Sequence, residues 1–247
     1  MASSLVVYLL GLVTVPLLRL LLTRFLDCAT RSEIGGGFYS DQRDTFALNV
    51  VAPQHGWFNM GYWVGGPKET FAEACEALCR LVVEVAVKDR NRSRTTRVFE
   101  AGCGAGDSTQ VWGRTFDGMD YVGATLEEGQ YKSACQRAAN LANARVVHGD
   151  AVKVIQGCDE GTFDVIVAVN CVFHFRSRDD FLRSSYRTLS TQGHLCMTDL
   201  LLPSHPLSMQ NRFLLRLLCI AASLPFSNLK TPTQYHNKLV EQGFKRH

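Results

Sequence analysis

Two periodicities organise the chain. From Glu69 onward, apolar residues return at three- and four-residue steps. Phe71, Ala74, Cys75, Leu78, Val82 and Val85 fall on one face, which predicts an amphipathic helix. The basic stretch Lys88–Arg97 ends it and reads as a solvated loop. Short apolar runs then alternate with helical ones. Arg97–Ala101, Tyr121–Thr125, Arg145–His148, Phe163–Val169 and Leu195–Thr198 read as strands. The fourth, FDVIVAV, is almost wholly apolar, as a central parallel strand buried on both faces must be. Residues 107–116, 127–141, 178–189 and 234–242 read as helices. Asp107 or Ser108 is placed to cap the first of these. In the second, acids in the first turn and Lys132 and Arg137 later match the helix dipole. Strands alternating with helices predict an α/β fold with a doubly wound, mostly parallel sheet.

Two apolar stretches do not fit that alternation. Leu5–Leu22 carries a single charge, Arg19, and at 1.5 Å per residue covers about 27 Å, enough for a thin bilayer. A signal peptide would begin with basic residues, which MASS lacks. A core helix is open, given Pro16 and Arg19, but an anchor helix fits best. Arg19, Arg24 and Arg31 all lie on its C-terminal side, which places the body on the cytoplasmic face of a single-pass anchor. In a eukaryote that membrane is expected to be the endoplasmic reticulum or another internal one. The second stretch, 207–226, is interrupted by Arg212 and Arg216 and is short for a span. It reads first as a lid helix and second as a helix dipping into a membrane interface.

Composition excludes several classes. The 247 residues are 46% hydrophobic and 20% charged, a globular balance. A net charge of +3 gives no nucleic-acid footprint. Nine cysteines, spread from Cys28 to Cys219 with no Cys-x-x-Cys pair, point to free thiols in a reducing compartment and to no metal site.

Candidate chemistry concentrates at residues 100–106, E-A-G-C-G-A-G, between a strand and a helix. Without a following Gly-Lys-Ser/Thr this is not a phosphate loop. The glycine spacing is also wrong for a dinucleotide fingerprint, and the second strand ends in Thr125 where a ribose-binding acid would stand. A leading carboxylate, Glu100, beside a backbone cradle suits a ligand with a cationic amine. A plain structural turn remains the bland alternative.

E-x-G-x-G-x-G, then GATLEEGQ, then HGDA, resembles the class I S-adenosylmethionine-dependent methyltransferases over about residues 50–244, within their small-molecule, sterol and cyclopropane-synthase-like branch. The resemblance implies a Rossmann-like methyltransferase fold with S-adenosylmethionine as cofactor. Glu100 would hold the methionine amine, directly or through water. Gly102 and Gly104 would lie against the cofactor. Thr125 and Gln130 would contact the ribose or its surroundings. Asp150 would bond the adenine amino group with Ala151 beside it, and Asn170 would face the methionine end. In this branch an N-x-G-Y-W element resembles a lid, so Tyr62 and Trp63 would border the acceptor pocket. His174, in Phe173-His174-Phe175, is a candidate general base for a hydroxyl acceptor, with a packing role as the alternative.

The expected organisation is an anchor at 1–26, a linker and aromatic lid at 27–68, and the S-adenosylmethionine-binding domain at 69–247. In the resembled fold a β-hairpin follows the last helix, whereas this sequence stops at His247. The fifth strand is therefore expected as an open edge: the sequence is truncated, or an oligomer or partner covers the edge, or the product is compromised. The function implied is methyl transfer to a small lipophilic acceptor: a sterol, a quinone-type ring or a secondary metabolite. The rivals are a cofactor-binding protein without turnover and nucleotide-dependent redox chemistry, the latter disfavoured by Thr125.

Overall fold

A computed structural model describes residues 55–64, 66, 69–87, 95–115 and 118–245. The expected anchor at 1–26 lies outside the described residues. Among the described residues no helix is long and apolar enough to cross a membrane.

The order is α1 (Phe71–Val87), β1 (Arg97–Ala101), α2 (Asp107–Thr115), β2 (Asp120–Thr125), α3 (Glu128–Ala138), β3 (Ala144–His148), α4 (Ala151–Gln156), β4 (Phe163–Val169), α5 (Arg178–Thr188), β5 (Leu189–Thr198), α6 (Met209–Ala221) and α7 (Pro232–Glu241). The five strands form one sheet in the order β3-β2-β1-β4-β5. Every pairing is parallel. The strand order reverses between β1 and β4, and such a switch point opens a crevice at the carboxyl ends of the strands.

Side-chain alternation sends successive residues of one strand to opposite faces. Val98, Tyr121, Val165 and Val167 pack on one side with Cys75, Cys79 and Val82 of α1 and Trp112 of α2. Phe99, Ala101, Val122, Ile166 and Ala168 pack on the other with Ile155 of α4 and Phe181 and Leu182 of α5. Full burial of a large aliphatic or aromatic side chain such as Val98, Ile166 or Phe181 contributes about 1.5–3 kcal/mol. Trp57 joins the first of these cores at 6% exposure.

Two elements differ from expectation. β5 starts at Leu189, six residues early, with an irregularity between the Phe163 and Val165 pairings. The six-residue α4 had no recognisable sequence period. The chain divides into two compact units, and Leu207–Phe226 falls outside the unit that holds the sheet. In that segment Ser208 caps the 13-residue α6 by accepting from Asn211 N–H. The eight described cysteines are free thiols.

Candidate cofactor site

The loop after β1 is fixed from below by Glu100. This carboxylate is 2% exposed. Its Oε2 accepts from Trp112 Nε1–H at 2.7 Å and from the Tyr121 hydroxyl at 2.6 Å. The Ser108 hydroxyl bonds it too, while burial, the larger effect, pushes its pKa up. Gly123, the β2 residue in register with Glu100, makes this possible. A Cβ there would stand 2.5 Å from the Tyr121 hydroxyl. Glu100 thus sits beneath the loop, not in its mouth.

The three loop glycines have separate reasons. A Cβ on Gly102 would strike Cys171 at 2.9 Å, and one on Gly106 would meet the Ala134 backbone of α3 at 2.7 Å. Those two are required by packing. Gly104 has φ +56° and nothing within 4 Å of a Cβ. There the missing side chain leaves open space at the end of β1, which is what close backbone approach to a ligand needs.

Other predicted residues lie at or just after the carboxyl ends of β2, β3 and β4. Thr125, at the end of β2, donates to Gln130 Oε1 at 3.1 Å, so the two act as a pair. Asp150 caps α4, its Oδ1 accepting from Val152 N–H at 2.9 Å, with buried Ala151 next to it. Its second oxygen remains as an acceptor. Asn170 follows β4 with φ +50°, a conformation that asparagine tolerates better than most residues. Its Oδ1 accepts from Met60 N–H at 2.9 Å, tying the 55–62 segment to the end of β4. Tyr62 and Trp63 are 46% and 55% exposed. Trp63 Nε1–H donates to Met60 O, and its ring lies 6.4 Å from Phe71.

His174 lies in a 3-10 turn, Val172–His174, with its ring 4.6 Å from that of Phe173. A pKa near working pH, the ground for its candidacy as a base, does not hold. Burial pulls it down to about 4, so the imidazole is neutral at pH 7 and a weak proton acceptor.

Sequence reasoning missed two polar clusters. Asp107, expected as a cap, instead lies inside α2. Its Oδ2 accepts from Gly56 N–H at 3.0 Å, and it pairs with His55 and Arg137, each at 3.4 Å. The second cluster holds the His174 turn. Asn228 donates to Phe173 O and Phe175 O at 3.0 and 2.7 Å. Arg178 donates to Asn228 O and pairs with Asp199 at 3.0 Å, and Tyr235 donates to Asp199 at 2.8 Å. These partners lie tens of residues apart, so no local pattern shows them.

Asp107→Ala is expected to free residues 55–60, because it orphans a buried N–H at a cost of about 1–3 kcal/mol. Faster amide exchange confined to that segment and a lower Tm would show this. Asp107→Asn keeps the acceptor and is expected to recover most of the loss.

Comparison with known proteins adds to this geometry. Residues 99–197 match the methyltransferase-domain family. Over 107 residues the chain is 36% identical to phthiotriol/phenolphthiotriol dimycocerosates methyltransferase 1 of Mycobacterium ulcerans (strain Agy99), covering 42% of this chain and 37% of that protein. Over 178 residues it is 25% identical to O-methyltransferase resE of Aspergillus sclerotiorum, covering 71% and 64%. The chain therefore spans less than two thirds of each relative's length. A putative sarcosine dimethylglycine methyltransferase from Galdieria sulphuraria shares the fold, with TM-score 0.67 and 17% identity over 82% of this chain and 74% of that one. With the motif order read from the sequence, the parallel sheet and the matched domain in agreement, residues 99–197 form a methyltransferase domain similar to those of class I S-adenosylmethionine-dependent methyltransferases.

Proposed function

We propose that this chain transfers a methyl group from S-adenosylmethionine to a small lipophilic acceptor at a membrane surface. The observation that carries the cofactor half is the open position at Gly104 after β1, at the same carboxyl side of the parallel sheet as Thr125, Asp150 and Asn170. When bound, the sulfonium cofactor supplies both the methyl group and its leaving group. The chain's own task is to bring the partners into line and to exclude water. The loop backbone at Gly102–Gly104 lets the cofactor approach. Glu100 keeps that loop in shape through Trp112 and Tyr121. Thr125 with Gln130 would hold the ribose, and Asp150 the adenine amino group. Asn170 ties the 55–62 segment to the β4 end, where it would face the methionine end of the cofactor. The half-exposed rings of Tyr62 and Trp63 offer an apolar wall that an acceptor would cover. Neutral His174 suits positioning the acceptor better than removing its proton.

The lipophilic acceptor is supported by a relative named for phthiotriol/phenolphthiotriol dimycocerosates. The membrane setting is supported by the apolar run Leu5–Leu22. Incubation with methyl-labelled cofactor and a host lipid extract is expected to label a compound found in the organic phase, identified by mass. Cofactor binding with no labelled product from any extract would leave a binding protein and overturn the transfer reading.

A further inference from the structure

Helix α6 turns its apolar side outward. Met209 is 85% exposed and Phe213 66%, while Leu214, Leu217, Leu218 and Ile220 lie between 46% and 55%. At 3.6 residues per turn, Met209, Phe213, Leu217 and Ile220 make one stripe, with Leu214 and Leu218 beside it. Together they occupy about half of the circumference. Cys219, 2% exposed, marks the inner side. An ordinary surface helix shows the opposite arrangement.

The charge pattern selects the occupant. Residues 207–226 contain no aspartate or glutamate. Arg212 and Arg216, one turn apart and both exposed, border the apolar stripe. The Arg216 guanidinium also lies 5.2 Å from the Phe226 ring centroid. Arginines bordering an apolar face can lay their stems along acyl chains and keep their heads among phosphates. A second copy of the same face would bring only more arginines and no acid, so its charges do not complement. Thirteen residues reach about 20 Å, too short to span a bilayer.

From this we infer that α6 is an interfacial helix that lies in the surface of a bilayer with anionic headgroups. The inference does not depend on the methyl-transfer reading.

Hydrogen exchange of the full chain tests it at the peptide covering 209–221. The vesicles are pure phosphatidylcholine, or phosphatidylcholine with roughly one-third phosphatidylglycerol. Exchange in this peptide is expected to slow about tenfold or more on the anionic vesicles and much less on the neutral ones. Arg212→Glu with Arg216→Glu should remove the anionic preference. Phe213→Ser with Leu217→Ser should remove the protection, while an unchanged cooperative thermal transition and circular dichroism spectrum report that the variant is folded. Unchanged exchange on both vesicles overturns the inference. So does protection that rises with protein concentration without lipid, which would assign the face to a second copy. Absence of S-adenosylhomocysteine binding, with α6 still protected by lipid, would count against the methyltransferase reading alone.

Discussion

Gly104→Ala is expected to leave the protein folded and to deprive it of its cofactor. The new methyl group meets no protein atom within 4 Å, so the folded state bears only the left-handed backbone penalty at φ +56°. That penalty is about 1–2 kcal/mol, a fall in Tm of several degrees. A ligand lying against the loop backbone, however, meets the methyl directly. Affinity for S-adenosylhomocysteine should drop by roughly 100-fold or more, the equivalent of about 3 kcal/mol. Gly106→Ala is the control with the opposite signature. Its Cβ would stand 2.7 Å from Ala134 Cα, so the fold itself should lose about 1–3 kcal/mol from overpacking, added to the backbone penalty. Calorimetry and thermal unfolding, run on both variants, separate the two roles. If Gly104→Ala bound as tightly as the wild type, the open position at that residue would not face the ligand.

Replacing Glu100 should have two outcomes according to the replacement. Alanine removes the acceptor of the Trp112 indole N–H and of the Tyr121 hydroxyl and leaves a void in the core. The expected loss is about 3 kcal/mol. Cofactor affinity should fall with it as the loop loses its support. Glutamine keeps the shape and an acceptor oxygen, and the Ser108 hydroxyl can accept from its amide. It should therefore retain binding. The pH dependence gives an independent check. Burial raises the pKa of Glu100 above its ordinary value, so the folded protein holds this proton more tightly than the unfolded chain. Stability from this group is then greatest at low pH and declines as pH rises through about 4.5 towards the raised value. Glutamine does not titrate, so the Tm of Glu100→Gln should gain on the wild type as pH rises through that window. A gap independent of pH would mean that the carboxylate is not buried as described.

The central sheet was legible because its strands are short apolar runs between glycines and helix starts, and β4 was the clearest. The start of β5 was not, because Leu189–Gly193 reads LSTQG, a polar stretch resembling a loop. α4 was missed because six residues make less than two turns. At the site, the glycine loop was visible through spacing, and Thr125 and Gln130 were named only through the family resemblance, which did not show that they bond each other. The burial of Glu100 was not, since Trp112 and Tyr121 reach it from 12 and 21 residues away across two other elements. Likewise, segment 55–62 showed only aromatic residues and glycines. The side chains that fix it, Asp107 and Asn170, come from α2 and the end of β4. The His174 pKa was misjudged because a residue's burial is a property of the fold, not of its neighbours in sequence.

Calorimetric titration of the wild-type chain with S-adenosylhomocysteine, in parallel with NAD, tests the central claim most directly. One-to-one binding of the sulfur nucleoside with a micromolar Kd is expected, with no heat from the dinucleotide. Binding of NAD, or of neither ligand by a folded protein, would contradict it.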